Sequence, residues 1–211
     1  ENLLAALAVG RVLRLPLEDM KEALKSYRPA PHRCEHVAEI NGVAFVNDSK
    51  ATNPDAVQKA VQSMPGSRSG EPNVILIAGG KDKGLQYHDL GPLLAQRVKH
   101  AFLLGETKEK IRAAWSLFTP CTVVDSLLEA VLRAFGCAIS GDVILLSPAC
   151  SSFDMFQSYA HRGEVFRQAV EQLARRSQRE AIGGNTSAVG GDGNTDPAPN
   201  DTFPRTHSAR T

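Results

Sequence analysis

The stretch Asn47-Asp48-Ser49-Lys50-Ala51-Thr52-Asn53 gathers a carboxylate, an ammonium, two hydroxyls and two amides, between the apolar run Val43-Ala44-Phe45-Val46 and Pro54-Asp55-Ala56-Val57. Such a set can neutralise an anion or bind sugar hydroxyls, and a helix N-terminus beside it adds a positive dipole end. Two further polar loops follow apolar runs: Ala78-Gly79-Gly80-Lys81-Asp82-Lys83-Gly84 and Ser147-Pro148-Ala149-Cys150-Ser151-Ser152. If the runs are parallel strands, their carboxyl ends share one edge and the loops converge there. Lys50, Lys81 and Lys83 then supply cations, with Ser49, Thr52, Ser151 and Ser152 as hydroxyls, and an anionic ligand is the natural occupant.

Each feature also has a plainer meaning. The lysines could be solvated loop charges. Gly79-Gly80 matches neither a dinucleotide fingerprint nor a Walker A loop and could be only a tight turn. Ser151 and Ser152 read most simply as the N-cap of the last helix, since no G-x-S-x-G elbow surrounds them. His32, His36 and His161 lack metal-ligand spacing, so no metal site is expected. Asp48, directly after an apolar strand, suits a ribose diol, with a structural acceptor as the alternative.

The elements that must position these residues follow from periodicity. His36-Val37-Ala38-Glu39-Ile40 and Val43-Ala44-Phe45-Val46 flank Asn41-Gly42, a hairpin signal. Strand-like runs at 74–77, 101–104, 122–124 and 143–146 alternate with helical stretches near 88–98, 107–116 and 126–139. Asn53 and Pro54 predict a capped helix start. A last helix is expected from about Ser152 to Arg175. The fold class is therefore α/β: a Rossmann-like, mostly parallel sheet with helices on both faces and an antiparallel N-terminal hairpin strand. The segment 1–30 carries two helical patterns, the first without a cap, as if begun within a helix, and ends in the proline-bearing Arg28-Pro29-Ala30-Pro31. Residues 177–211, rich in Gly, Ser, Thr, Asn and Pro, are expected to form a disordered tail.

Composition narrows the function. The chain has 211 residues, 24 basic and 23 acidic side chains and a net charge of +1, a balance that argues against a nucleic-acid or polybasic membrane surface and for small-molecule partners. No run approaches the ~20 apolar residues of a membrane span, and no signal peptide is evident, so a cytosolic location is expected. Cys34, Cys121, Cys137 and Cys150 form no C-x-x-C pair and are read as reduced structural thiols.

Pro31-His32-Arg33-Cys34-Glu35, the run from Asn47 to Asn53, Gly79-Gly80-Lys81-Asp82-Lys83, the run from Leu146 to Asp154, Phe156 and Arg162-Gly163-Glu164-Val165-Phe166 together resemble the C-terminal domain of the Mur ligases. Asp48-Ser49-Lys50-Ala51-Thr52-Asn53 is the most specific piece and points to the D-glutamate-adding branch. The resemblance spans about residues 1–175, with 1–30 similar to the end of the family's central domain and its linker, and 31–176 to its C-terminal domain. It implies ATP-dependent amide formation in peptidoglycan synthesis, in which the carboxyl of UDP-N-acetylmuramoyl-L-alanine is phosphorylated and the amine of D-glutamate attacks the acyl phosphate. The resemblance assigns Asn2, Arg33 and Asp48 to the nucleotide, Lys50 to catalysis on the phosphate side, and Thr52, Lys83, Ser152, Phe153 and Tyr159 to D-glutamate. Tyr159 stands where a familiar pattern of the family has phenylalanine. The family's P-loop, Mg²⁺ ligands and carbamylated lysine belong to a central domain that precedes this stretch, so the segment is expected to be inactive alone, and a monomeric enzyme is expected. A stand-alone nucleotide- or amino-acid-binding module on the same fold is the alternative.

Overall fold

The computed structural model describes residues 2–27 and 30–183. A six-stranded sheet has the order β1-β2-β6-β3-β4-β5, with β1 (Glu35–Ile40), β2 (Val43–Asn47), β3 (Val74–Gly79), β4 (Val98–Leu104), β5 (Cys121–Val123) and β6 (Val143–Leu146). β1 pairs antiparallel with β2 through the Asn41-Gly42 turn, where both residues take positive φ. The other pairings are parallel. The hairpin and the mostly parallel sheet are thus as the periodicity implies.

Alternation along the inner strands splits the core into two layers. Val74, Leu76, Ala78, Leu103, Val143 and Leu145 pack with Val57, Val61, Leu94, Ile111 and Trp115. These last five come from α3 (Pro54–Ser63), α4 (Gly91–Arg97) and α5 (Lys108–Trp115). Ile75, Ile77, Phe102, Ile144 and Leu146 face the other way, onto Val131, Ala134, Phe166 and Val170 of α6 (Leu127–Gly136) and α7 (Tyr159–Gly183). The connections leaving β2 and β3 therefore run to one face, whereas the connection leaving β6, which lies between them, runs to the other. Such a reversal opens a crevice at the carboxyl edge, where α/β sheets bind ligands.

α3 begins as its sequence demands: Asn53 Oδ1 accepts the Ala56 N–H at 2.8 Å and Pro54 occupies the first turn. The last helix departs from expectation, because it starts at Tyr159 rather than Ser152. The Ser152 carbonyl accepts the N–H groups of Met155 and Phe156, closing a single turn, and Ser158 caps α7 through the His161 N–H at 3.1 Å. At its other end α7 continues past the composition change at Arg176, since Gln178, Arg179, Glu180 and Ala181 are good helix formers. The rest of the expected tail, 184–211, lies outside the described residues.

Ahead of the sheet, α1 (Asn2–Val12) and α2 (Leu17–Ser26) form a helical hairpin. Gly10 permits the close approach of Met20, whose Sδ would collide with a Cβ there. Leu4, Val9, Val12 and Leu13 remain exposed. Arg28 and Pro29 of the expected linker lie outside the described residues.

Candidate functional site

The loops after β2, β3 and β6 do converge. Gly79 N–H donates to the Pro148 carbonyl at 2.8 Å, and Lys81 N–H donates to the Ser151 carbonyl at 2.8 Å, forming an isolated bridge between the second and third loops. Ser147 Oγ donates to Asp48 Oδ2 at 2.9 Å, tying the first loop to the third. The loop after β4, unremarkable in sequence, joins them through Thr107. Its Oγ1 accepts the Gly80 N–H at 3.1 Å and its own N–H donates to the Gly80 carbonyl at 3.0 Å. Close approach explains the glycine pair: Gly79 has φ +116 and its Cβ would meet the Leu104 carbonyl, while Gly80 has φ +146 and lies against Ser151. The pair is a packing device for the site, not merely a tight turn.

The first turn of α7 clasps the first loop. Ser49 Oγ donates to the Tyr159 carbonyl at 2.7 Å and accepts from Arg162 Nε at 3.0 Å. Asn47 Nδ2 lies 2.9 Å from His32 Nδ1 and 3.2 Å from the Gly163 carbonyl. Burial, then the Arg167 guanidinium, lower the His32 pKa, so the neutral ring can accept from Asn47. Gly163 leaves room for that imidazole, since a Cβ there would collide with His32 Nδ1.

Of the residues singled out from sequence, Lys50 and Tyr159 are brought together. The Lys50 ammonium lies 5.0 Å from the Tyr159 ring centroid and 3.4 Å from its hydroxyl. Asp48 is buried at 7% exposure, with Oδ1 accepting the Cys34 N–H at 3.2 Å. Burial pushes its carboxyl above the ordinary value, opposed by the Ser147 and Cys34 donors and, more weakly, by the charge of exposed Arg33. Asp48 therefore has a structural role whatever else it binds. Thr52 is half-buried, Ser152 is buried and Lys83 is exposed. A hollow of about 310 Å³ touches Asn53 and Leu85, which adjoin the loops of Thr52 and Lys83. Phe153, 72% exposed, leaves its ring in solvent. Asn2 opens α1, and its side chain lies outside the described residues.

The cations sort into two groups. Lys81 pairs with Glu106, Lys108 with Asp125 and Lys110 with Asp82. Lys50 and Lys83 form no ion pair among the described residues, so their charges are available to a ligand. Arg162 went unnoticed as a site residue in the sequence. Burial lowers its pKa to about 10, which leaves it a cation at neutral pH. Among the described residues no three His, Cys, Asp or Glu side chains cluster in a way that could hold a metal ion. A separate cavity of about 1040 Å³ lies at the amino edge of the sheet, against Asn73, Lys99 and Asp142, away from the convergent loops.

Comparison with known proteins gives this geometry a context. Residues 32–150 match the family described as Mur ligase, glutamate ligase domain. The UDP-N-acetylmuramoylalanine--D-glutamate ligase of Caldicellulosiruptor bescii is 43% identical over 175 residues, covering 82% of this chain and 37% of the relative. Its counterpart in Acidobacterium capsulatum is 46% identical over 176 residues, covering 83% and 36%. The chain thus spans little more than a third of the length of these curated relatives. Among solved structures, UDP-N-acetylmuramate-alanine ligase MurC from Thermotoga maritima superposes with a TM-score of 0.57 at 16% identity, covering 82% of this chain and 37% of that one. MurF ligase from Thermotoga maritima, in complex with ADP, gives 0.56 at 21%, covering 82% and 38%. These two likenesses establish the fold, and the match over more than half of its residues places the assignment beyond fold: the chain belongs to the Mur ligase family.

Proposed function

We propose that this chain is the C-terminal domain of an ATP-dependent ligase that joins D-glutamate to UDP-N-acetylmuramoyl-L-alanine, acting in the cytosol as a monomer. The observation that carries the reading is the convergence of three strand-end loops in which, among the described residues, Lys50 and Lys83 have no ion pair while Lys81, Lys108 and Lys110 do. A ligation of this kind brings together a nucleotide phosphate, a substrate carboxylate and a dicarboxylic amino acid, and its cost is largely the alignment of negative charges. Two ammonium groups without a carboxylate partner among the described residues, one of them held at the Tyr159 ring, suit that task. The curated relatives of the same family carry D-glutamate ligation in their names, which supports D-glutamate over other amino acids.

Lys50, steered by the Tyr159 ring, neutralises charge as the phosphoryl group moves to the substrate carboxyl. Lys83 with Thr52 holds one carboxylate of D-glutamate. The Ser152 hydroxyl, on the loop after β6, holds the other, with Phe153 and Tyr159 closing the pocket. Arg33 and Asn2 contact the nucleotide, and Asp48 meets its ribose through lone pairs left over from the Cys34 and Ser147 bonds. The amine of D-glutamate must reach the acyl carbon uncharged, which a pocket that binds only its carboxylates allows. Mg²⁺ would be held by residues outside this stretch.

The test is phosphate release by the complete enzyme containing this chain. Turnover should require ATP, UDP-N-acetylmuramoyl-L-alanine and D-glutamate together. Equal turnover with L-glutamate, or with another amino acid in its place, would sink the reading. The stand-alone binding module has no observation in its favour.

A further inference from the structure

Arg162 is 2% exposed in the first turn of α7 and forms no ion pair with a carboxylate among the described residues. Its hydrogens go to neutral oxygens on two separate loops. Nε donates to Ser49 Oγ at 3.0 Å and Nη2 to the Ser49 carbonyl at 2.8 Å. Nη1 and Nη2 both donate to the Cys150 carbonyl at 3.1 Å. The loop after β3 lies against the same group, because a Cβ on Gly80 would lie 3.2 Å from Arg162 Nη1. Burying a guanidinium is costly unless its hydrogens are well placed, and an apolar side chain would fill the space more cheaply. What the planar fork adds is a fixed separation between two backbones that no ladder bond sets at this point. Ser49 immediately precedes Lys50, and Cys150 precedes Ser151 and Ser152.

We propose that Arg162 is a positioning residue for the ligation site: by gripping the Ser49 and Cys150 carbonyls it sets Lys50 on the β2 loop in register with Ser152 on the β6 loop. The inference rests on the ligase reading for its chemistry, although not for its geometry. Ser49 passes the restraint onward, since its Oγ also donates to the Tyr159 carbonyl, and the Tyr159 ring carries the Lys50 ammonium. Misplacing a reacting group by an ångström costs on the order of a hundredfold in rate. Such a loss falls on kcat when the ground-state contacts to each substrate survive.

In the complete ligase, Arg162→Lys keeps the charge but loses the fork. Its kcat is expected to fall about a hundredfold, with KM for ATP and for D-glutamate each within about threefold. Arg162→Ala should recover part of its kcat in millimolar guanidinium chloride. Wild-type kcat in Arg162→Lys, or a loss in Arg162→Ala that guanidinium leaves untouched, overturns the proposal. Should the wild-type enzyme make no D-glutamyl product, the ligase reading fails, and amide exchange judges the positioning role by itself. Exchange at Lys50, Ala51 and Lys81 should then rise together in Arg162→Lys while that of β6 (Val143–Leu146) stays slow. Unchanged protection of those three amides refutes it.

Discussion

Lys83, unlike Lys81, Lys108 and Lys110, has no carboxylate partner among the described residues, which makes it the sharpest single-residue test of the amino-acid site. Hydrogen bonds to charged groups are worth roughly 1.5–3 kcal/mol, so in the ligase Lys83→Ala should lower kcat/KM for D-glutamate by about ten- to a hundredfold, with the KM for ATP little changed. Steady-state kinetics with each substrate varied would show the reverse split if the loop serves the nucleotide. Asp48 offers a test by pH. Its folded pKa lies above the ordinary 3.8 because of burial. Between 3.8 and that raised value the folded chain holds more proton than the unfolded one, so this group's contribution to stability falls as pH rises through the window. Asp48→Asn can still accept the Cys34 N–H and can donate to Ser147 Oγ. It should therefore melt no lower than wild type at pH 7, with its advantage vanishing as the pH approaches 4. A lower midpoint at pH 7 in thermal melts would contradict this. At this scale Lys50, Thr52 and Lys83 were legible because they stand in polar loops after apolar strands. Arg162 was not, because an arginine in an amphipathic helix is expected in solvent. The available sign was its spacing: Arg162 falls four residues before Phe166, on the stripe continued by Ala169, Val170 and Leu173 that faces the core.

Among the elements, α3 shows how far local chemistry reaches. Asn53 and Pro54 mark its start in the sequence, and the Asn53–Ala56 bond is present at 2.8 Å. Asn53→Ala should cost about 1 kcal/mol, lowering the thermal midpoint by about 2–4 °C for a chain of this size. No change on calorimetry would mean that the backbone finds another acceptor. The start of α7 was misjudged because Ser151 and Ser152 resemble a cap, whereas Asp154 is needed elsewhere, its Oδ2 accepting the Glu106 N–H at 2.9 Å. That bond joins the β6 loop to the β4 loop, and a helix begun at Ser152 would carry the carboxylate away. Tertiary demand overrode local preference. The strands were easier to place because their β-branched and leucine runs are buried on both faces. Even so, β4 begins at Val98 and not Ala101, since Val98 joins the core beneath α4 while Lys99 leaves it to pair with Asp142. Gly79→Ala belongs to this scale too. At φ +116, with the Leu104 carbonyl against the new methyl, it should cost more than the ~1–3 kcal/mol of backbone strain alone. A midpoint close to wild type would show that β3 and β4 can separate at their carboxyl ends without loss.

For the molecule as a whole, the exposed apolar side chains of α1 and α2 contrast with the closed two-layer core, and the proposed ligase leaves them to pack on the preceding part of the enzyme. The isolated chain should accordingly form no amide from ATP, UDP-N-acetylmuramoyl-L-alanine and D-glutamate, and product from the purified 211 residues would refute the division of labour. Removing residues 184–211, whose composition offers little apolar surface to bury, should shift the midpoint by less than about 1 °C. A drop of several degrees would place that segment against the domain. The strand order also bears on how the chain is made. β6, the last strand in sequence among the described residues, fills the gap between β2 and β3, so no stretch of chain that stops short of Val143 can complete the sheet. At ribosomal speeds of roughly 5–20 residues per second, β3 waits on the order of several seconds after leaving the exit tunnel, apolar on both faces and with one edge open. A nascent chain halted at residue 142 should remain protease-sensitive and bind a hydrophobic-segment chaperone, whereas one released after β6 and α7 should not, which makes the centre of the sheet the timer for the domain's birth.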